Sequence, residues 1–174
     1  MAPGPGEPVP APPVLAASAE PSAPPDPRRV SVYLHAGQVY ASAEPASVVT
    51  VLGSCVAVCL FDREARVGGM NHYLLPLERT RERSARFGDV AVRRLLEQVL
   101  ALGARHEGLE AKVFGGASIL RALEGRGLGG DNADLALRLL RDAEVPILEQ
   151  DVGGQKGRKL VFHTDDGAAW VRHL

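Results

Sequence analysis

Residues 48–76, VVTVLGSCVAVCLFDREARVGGMNHYLLP, contain both cysteines of the chain and one of its five histidines. Val48–Leu52 reads as a strand, Gly53-Ser54 as a break, and the β-branched, apolar run Val56–Phe61 as a second strand. Gly68–Leu75 is a third strand, stopped by Pro76. The break at 62–65 reads as the loop of a tight antiparallel hairpin. With Phe61 paired to Arg66, Cys55 stands opposite His72, and directly opposed Cβ atoms lie about 4.5–5.5 Å apart. A bulge at Gly68-Gly69 would shift that register.

Such a pair has a chemistry. A thiol is a poor nucleophile until it becomes a thiolate. A neighbouring imidazolium stabilises that thiolate and later protonates a leaving amine. Gly53 lets the backbone turn sharply, and amide N–H groups freed at Gly53, Ser54 and Cys55 can face an oxyanion. Thr50 and Asn71 are placed to orient the ring. Each residue also has an ordinary reading. Free cysteine packs well in cores, and Cys59, between Val58 and Leu60, fits that role better than Cys55. Along one strand the two cysteines stand about 13 Å apart, too far to share a disulfide or a metal. His72 alone is a core histidine, Thr50 alone a strand residue, Gly53-Ser54 alone a turn. Only the combination points to catalysis.

The chain has 174 residues, 45% of them apolar and 24% charged, which suits one globular domain. Lys+Arg is 20 against 21 for Asp+Glu, so bulk attraction to nucleic acid or anionic membrane is not expected. No apolar run reaches the roughly 20 residues that span a bilayer, so direct membrane insertion is not expected either. MAPGPGEPVP has neither the basic nor the apolar region of a secretory signal. Two cysteines are too few for a disulfide framework, and a reducing cytoplasm is the simplest setting.

Residues 1–28 hold 10 of the 13 prolines and read as a disordered or polyproline-like tail, leaving 29–174 as the folded domain. RVSVYLHAGQVYAS suggests a hairpin turning near Ala36-Gly37. LERTRERSARF is a charged surface loop, with arginines that suit an acidic partner. A helical stripe at 92, 95, 96, 99, 100 and 102 predicts a helix capped by Asp89 and closed by Gly103. Ala111–Phe114 is a strand with a tight exit at Gly115-Gly116-Ala117. Ser118–Leu123 is one or two helical turns, and Asp131 or Asn132 caps a second helix to about Asp142. Strands follow at Pro146–Gln150, Lys159–His163 and Ala168–Arg172. This order predicts an α/β (α+β) layered sandwich, mixed β-sheets covered by two or three helices.

Other motifs are weaker. Gly125-Arg-Gly-Leu-Gly-Gly130 matches G-x-G-x-x-G but follows a helical-looking segment, with no βαβ unit around it, so no dinucleotide site is assigned. His163, Asp165 and Asp166 read as solvated turn residues rather than metal ligands. Neither a cofactor nor a metal is called for.

LGSCVAVCLFD (52–62) followed by GGMNHYLLP (68–76) resembles the chemoreceptor glutamine deamidase family, CheD. Residues 87–117, LGGDN (128–132) and DVGGQKGRKLVFHTDDGAAWVRHL (151–174) resemble its later blocks in order, so the likeness spans about 30–174. The resemblance implies hydrolysis of specific glutamine side chains on bacterial chemotaxis receptors to glutamate and ammonia. It implies Cys55 as nucleophile, His72 as base and Thr50 as the third residue. It implies a sandwich related to papain-like thiol hydrolases. It also implies partners: receptor cytoplasmic helices and, in many systems, the chemotaxis phosphatase CheC. Gln38 stands where an acidic residue is expected. Two alternatives remain at this point: a non-catalytic adaptor for the receptors or CheC, and a thiol amidohydrolase with another substrate.

Overall fold

A computed structural model describes residues 26–118 and 127–174. Two sheets stack face to face. The first has the order β1-β3-β8-β9, with β1 Val30–Tyr33, β3 Ala46–Leu52, β8 Arg158–His163 and β9 Ala169–His173. The second has the order β2-β5-β4-β6-β7, with β2 Gln38–Ser42, β5 Val67–His72, β4 Val56–Asp62, β6 Leu109–Gly115 and β7 Ile147–Val152. Each sheet contains one parallel pair, β1 with β3 and β6 with β7, among antiparallel ones. Helices α1 (Gly88–Ala101) and α2 (Gly127–Asp142) both pack on the five-stranded sheet, so the layers run sheet, sheet, helices. This is the layered α+β sandwich expected from the element order.

The two-residue period of β4 divides its side chains between two cores. Val56, Val58 and Leu60 face the helices with Leu95, Val99 and Leu140. Ala57, Cys59 and Phe61 face the first sheet with Leu52, Leu160 and Phe162. All seven residues of β4 are buried, as expected of a central strand covered on both faces. Among the described residues no helix is long and apolar enough to cross a membrane.

Several expectations need correction. Residues 30–42 are not a hairpin: β1 and β2 belong to different sheets. At the join, Leu34 N–H donates to Val49 O in the first sheet and Gly37 N–H to His72 O in the second. The hairpin loop after β4 is 63–66, not 62–65, because Asp62 stays in the strand opposite Val67. Its Oδ1 accepts the N–H groups of Glu64 and Ala65, which folds the turn beyond it. Gly68 and Gly69 pair regularly rather than bulging. A Cβ on Gly68 would lie 2.5 Å from Thr164 O, and one on Gly69 2.7 Å from Tyr40 O, so neither position has room for a side chain.

Helix α1 begins at Gly88 after Phe87, and Asp89 lies inside its first turn; Gly103, at φ +106°, ends it as expected. Helix α2 begins at Gly127, four residues ahead of Asp131, so Asn132 is not a cap but lies within the helix. β6, α2 and β7 do form a parallel βαβ unit around the G-x-G-x-x-G motif. Gly127–Gly130 nevertheless start the helix itself, and a Cβ on Gly129 would lie 2.5 Å from the carbonyls of Gly116 and Ala117. These glycines permit close packing. Residues 1–25 of the proposed tail and the 119–123 part of the proposed helical turn lie outside the described residues.

Asp165 and Asp166 are not merely solvated turn residues. Arg29 binds Asp165 at 2.8 Å and Asp166 at 2.8 Å, and His163 is buried, against Trp170.

Candidate active site

The chain changes sheets between β3 and β4, and Gly53-Ser54-Cys55 is the crossing. Each carbonyl of this turn is held by a separate donor. Gly53 O accepts from Ala117 N–H at 2.9 Å and Cys55 O from Gly116 N–H at 2.8 Å. Ser54 O accepts from Asn132 Nδ2 at 3.0 Å. Among the described residues the amides of Gly53, Ser54 and Cys55 donate to no other residue, and that of Cys55 lies against its own sulfur. The exit of β6 must approach closely to do this. Gly115 sits at φ +111°, and a Cβ there would come within 2.2 Å of Cys55 O.

Thr50 interrupts the apolar inward row Val48, Thr50, Leu52 of β3, and is fully buried. Its hydroxyl meets His72 Nδ1 of the facing sheet at 2.8 Å and donates to Leu34 O at 2.7 Å. A carbonyl only accepts, and the hydroxyl has a single proton. That proton is used on Leu34, so the oxygen accepts from Nδ1–H. The lone pair of the imidazole is therefore on Nε2, which is buried and makes no hydrogen bond.

The structure does not place Cys55 directly opposite His72. β4 and β5 pair with a register two residues different from the simple hairpin, through Asp62–Val67 and Cys59–Met70 to an isolated bridge, Val56–Tyr73. An even shift moves the partner but keeps the face. Cys55 and His72 become diagonal neighbours on the inter-sheet face, their Cβ atoms about 7 Å apart by strand geometry. The ladder is also open here. Val58 N–H is bonded not to the backbone of β5 but to Asn71 Oδ1, at 2.8 Å. Asn71, considered as a partner for the imidazole, instead takes this strand amide.

Burial sets the protonation states. It raises the Cys55 thiol and lowers His72 to about 4. The resting pair is thus neutral, thiol and imidazole, where the sequence suggested an ion pair.

Asn132 is the residue that sequence reasoning misjudged. Its Nδ2 bridges Ser54 O and Leu74 O (2.8 Å), and its backbone carbonyl accepts from the Tyr73 hydroxyl at 2.5 Å. One side chain of α2 thus clamps the cysteine turn to the chain beyond His72. Its signal was a polar residue on the buried stripe with Ala133 and Ala136.

Cys59, at 1% exposure, lines a separate cavity of about 290 Å³ with Phe61 and the Lys112–Glu149 ion pair. Among the described residues no group of His, Cys, Asp and Glu has the arrangement of a metal site.

A family model described as CheD chemotactic sensory transduction matches residues 74–173, starting just past His72. A protein of Anaeromyxobacter dehalogenans (strain 2CP-C), named "Probable chemoreceptor glutamine deamidase CheD 1", is 65% identical over 147 residues, 84% of this chain and 86% of its own. One of Trichlorobacter lovleyi, "Probable chemoreceptor glutamine deamidase CheD", is 44% identical over 137 residues, 78% of this chain and 85% of its own. A third, from Shewanella oneidensis and named as the first, is 41% identical over 151 residues, covering 84% and 73%.

Proposed function

Because the chain belongs to the CheD family of chemoreceptor glutamine deamidases, we propose that Cys55, His72 and Thr50 carry its amide hydrolysis. The protein is an amidohydrolase that converts receptor glutamines to glutamate. The observation supporting this site most directly is the 2.8 Å contact of Thr50 Oγ1 with His72 Nδ1, which leaves Nε2 as a free base on the same face as the half-buried Cys55 thiol.

His72 Nε2 takes the Cys55 proton as the sulfur attacks the glutamine Cδ. The carbonyl electrons move onto oxygen, and the amides of the 53–55 turn stabilise that oxyanion. Collapse of the adduct breaks the C–N bond, and Nε2–H delivers its proton to departing ammonia. Water then gives a proton to Nε2 and its oxygen to the thioester. Collapse releases glutamate, and the proton returns to sulfur. The low proton affinity of His72 makes its imidazolium a strong acid, suited to ammonia departure.

We assign this chemistry to a domain spanning 29–174, acting in the cytoplasm on receptor helices. CheC would compete with the receptors for the same enzyme. The test is peptide mass spectrometry of a chemoreceptor cytoplasmic fragment incubated with the protein, beside a Cys55→Ala control. Site-specific conversion of Gln to Glu by the native protein alone is expected. Binding without conversion would favour an adaptor, and neither would send the search to another substrate.

A further inference from the structure

The cysteine turn hangs on the strand exit Gly115–Ser118, so whatever fixes that exit also fixes the nucleophile. The exit is bonded to the loop after β7: Gly153 N–H donates to Gly115 O at 2.9 Å, and Ser118 N–H to Gly154 O at 2.8 Å. That loop has little to hold it in place. Gly153 and Gly154 sit at φ +78° and +71°, and a Cβ on either would meet nothing within 4 Å.

What holds the loop is Arg158. Its Nη2 donates to Gly153 O and to Asp151 Oδ1, both at 2.8 Å, and Nη1 donates to Lys156 O at 3.3 Å. The side chain is 3% exposed, and Nε is buried with no partner. A guanidinium this buried is costly unless its fork is used. Here the fork gathers both ends of the glycine loop. Arg158 is also the cross-strand partner of Leu52, the last residue of β3 before the cysteine turn. It therefore joins the first sheet to the loop of the second, beside the point where the chain itself crosses.

We propose that Arg158 is a positioning residue for Cys55. It acts through Gly153, then Gly115–Gly116, then the Cys55 carbonyl. It touches no substrate. This rests on Cys55 being the nucleophile. Lysine keeps the charge and can keep the Asp151 pair, but its single ammonium lacks the second donor nitrogen with which the planar fork reaches Lys156 O as well as Asp151 and Gly153. Misplacing a nucleophile by an ångström costs on the order of a hundredfold in rate.

The experiment compares native protein with Arg158→Lys and Asp151→Asn. Asp151 is a third exposed, so its variant tests the relay without emptying a buried site. Three readouts are taken: thermal unfolding, kcat and KM on a receptor fragment, and the rate of Cys55 alkylation by iodoacetamide. The last needs no substrate. For Arg158→Lys we expect a folded protein, KM unchanged, and kcat down roughly tenfold to a hundredfold. We expect Cys55 alkylation to change in rate, and Asp151→Asn to move both readouts the same way by less. Unchanged kcat and alkylation in a folded Arg158→Lys overturn the proposal, as does a loss that appears only in KM. If Arg158→Lys does not fold, Asp151→Asn decides alone by the same criteria. If the native protein converts no glutamine, a change in alkylation still supports the relay, while the deamidase reading falls.

Discussion

Cys59 sits where β4 is paired on both edges, to Met70 of β5 and Lys112 of β6, with 1% of its surface exposed. Cys55 sits just ahead of the strand, where one isolated bridge and an asparagine side chain replace the ladder. Both thiols belong to the core between the sheets, and burial raises the proton affinity of both. What separates them is position: Cys55 shares the inter-sheet face with His72 at the open end of the ladder, and Cys59 lies inside it. A raised thiol is compatible with catalysis only where a proton acceptor is built beside it.

The largest expected effect breaks that comparison outright. Cys55→Ala should lower turnover by about 10⁴-fold or more, as loss of a nucleophile does. Cys59→Ala should leave turnover within a few-fold and cost roughly 1–2 kcal/mol in urea unfolding, the scale of a small core deletion. Iodoacetamide should label Cys55 alone in the folded protein and both cysteines in urea.

Removing the base comes next: His72→Ala should cost about 10²–10⁴-fold in kcat. The native kcat/KM profile should keep its acid limb near pH 4, well below an ordinary histidine. An acid limb at 6.5 would contradict a buried, neutral base. The same shift makes a stability claim. The unfolded chain takes up this proton near 6.5 and the folded chain only near 4, so acid favours unfolding. The contribution is complete above about pH 6.5 and falls by up to ~3 kcal/mol towards pH 4, measurable by urea titration.

Thr50→Val keeps shape but removes the oxygen that accepts Nδ1–H. A loss of roughly tenfold to a hundredfold is expected, by analogy with other groups that orient a histidine, and Thr50→Ser should restore most of it. The last effect is on folding rather than chemistry. Asn132→Ala leaves two carbonyls unbonded and should cost about 1–3 kcal/mol in unfolding free energy.

The layered fold could be read from the chain because strands, turns and the α1 stripe announce themselves locally. The allocation of β1 and β2 to different sheets could not, because alternation does not say which partner a strand finds. The proposed pair was placed on one face as well, but through a register that was wrong by two residues. An even error preserves the face, so the neighbours survived the mistake. Asp62 misled because its carboxylate folds the turn from inside the strand, where it looks like a loop residue. Arg158 and Asn132 were hidden for another reason. Apart from the Arg158–Asp151 pair, their partners are backbone carbonyls, which no side-chain pattern marks.

The strand order has a consequence for synthesis. Thr50 lies on β3, whose neighbours are β1 and β8, and β8 ends at His163. The Thr50–His72 contact joins two sheets that cannot both be complete until nearly the whole chain has emerged from the ribosome. On the proposed reading, Cys55 thus depends on a frame gathered from strands that lie far apart in the sequence.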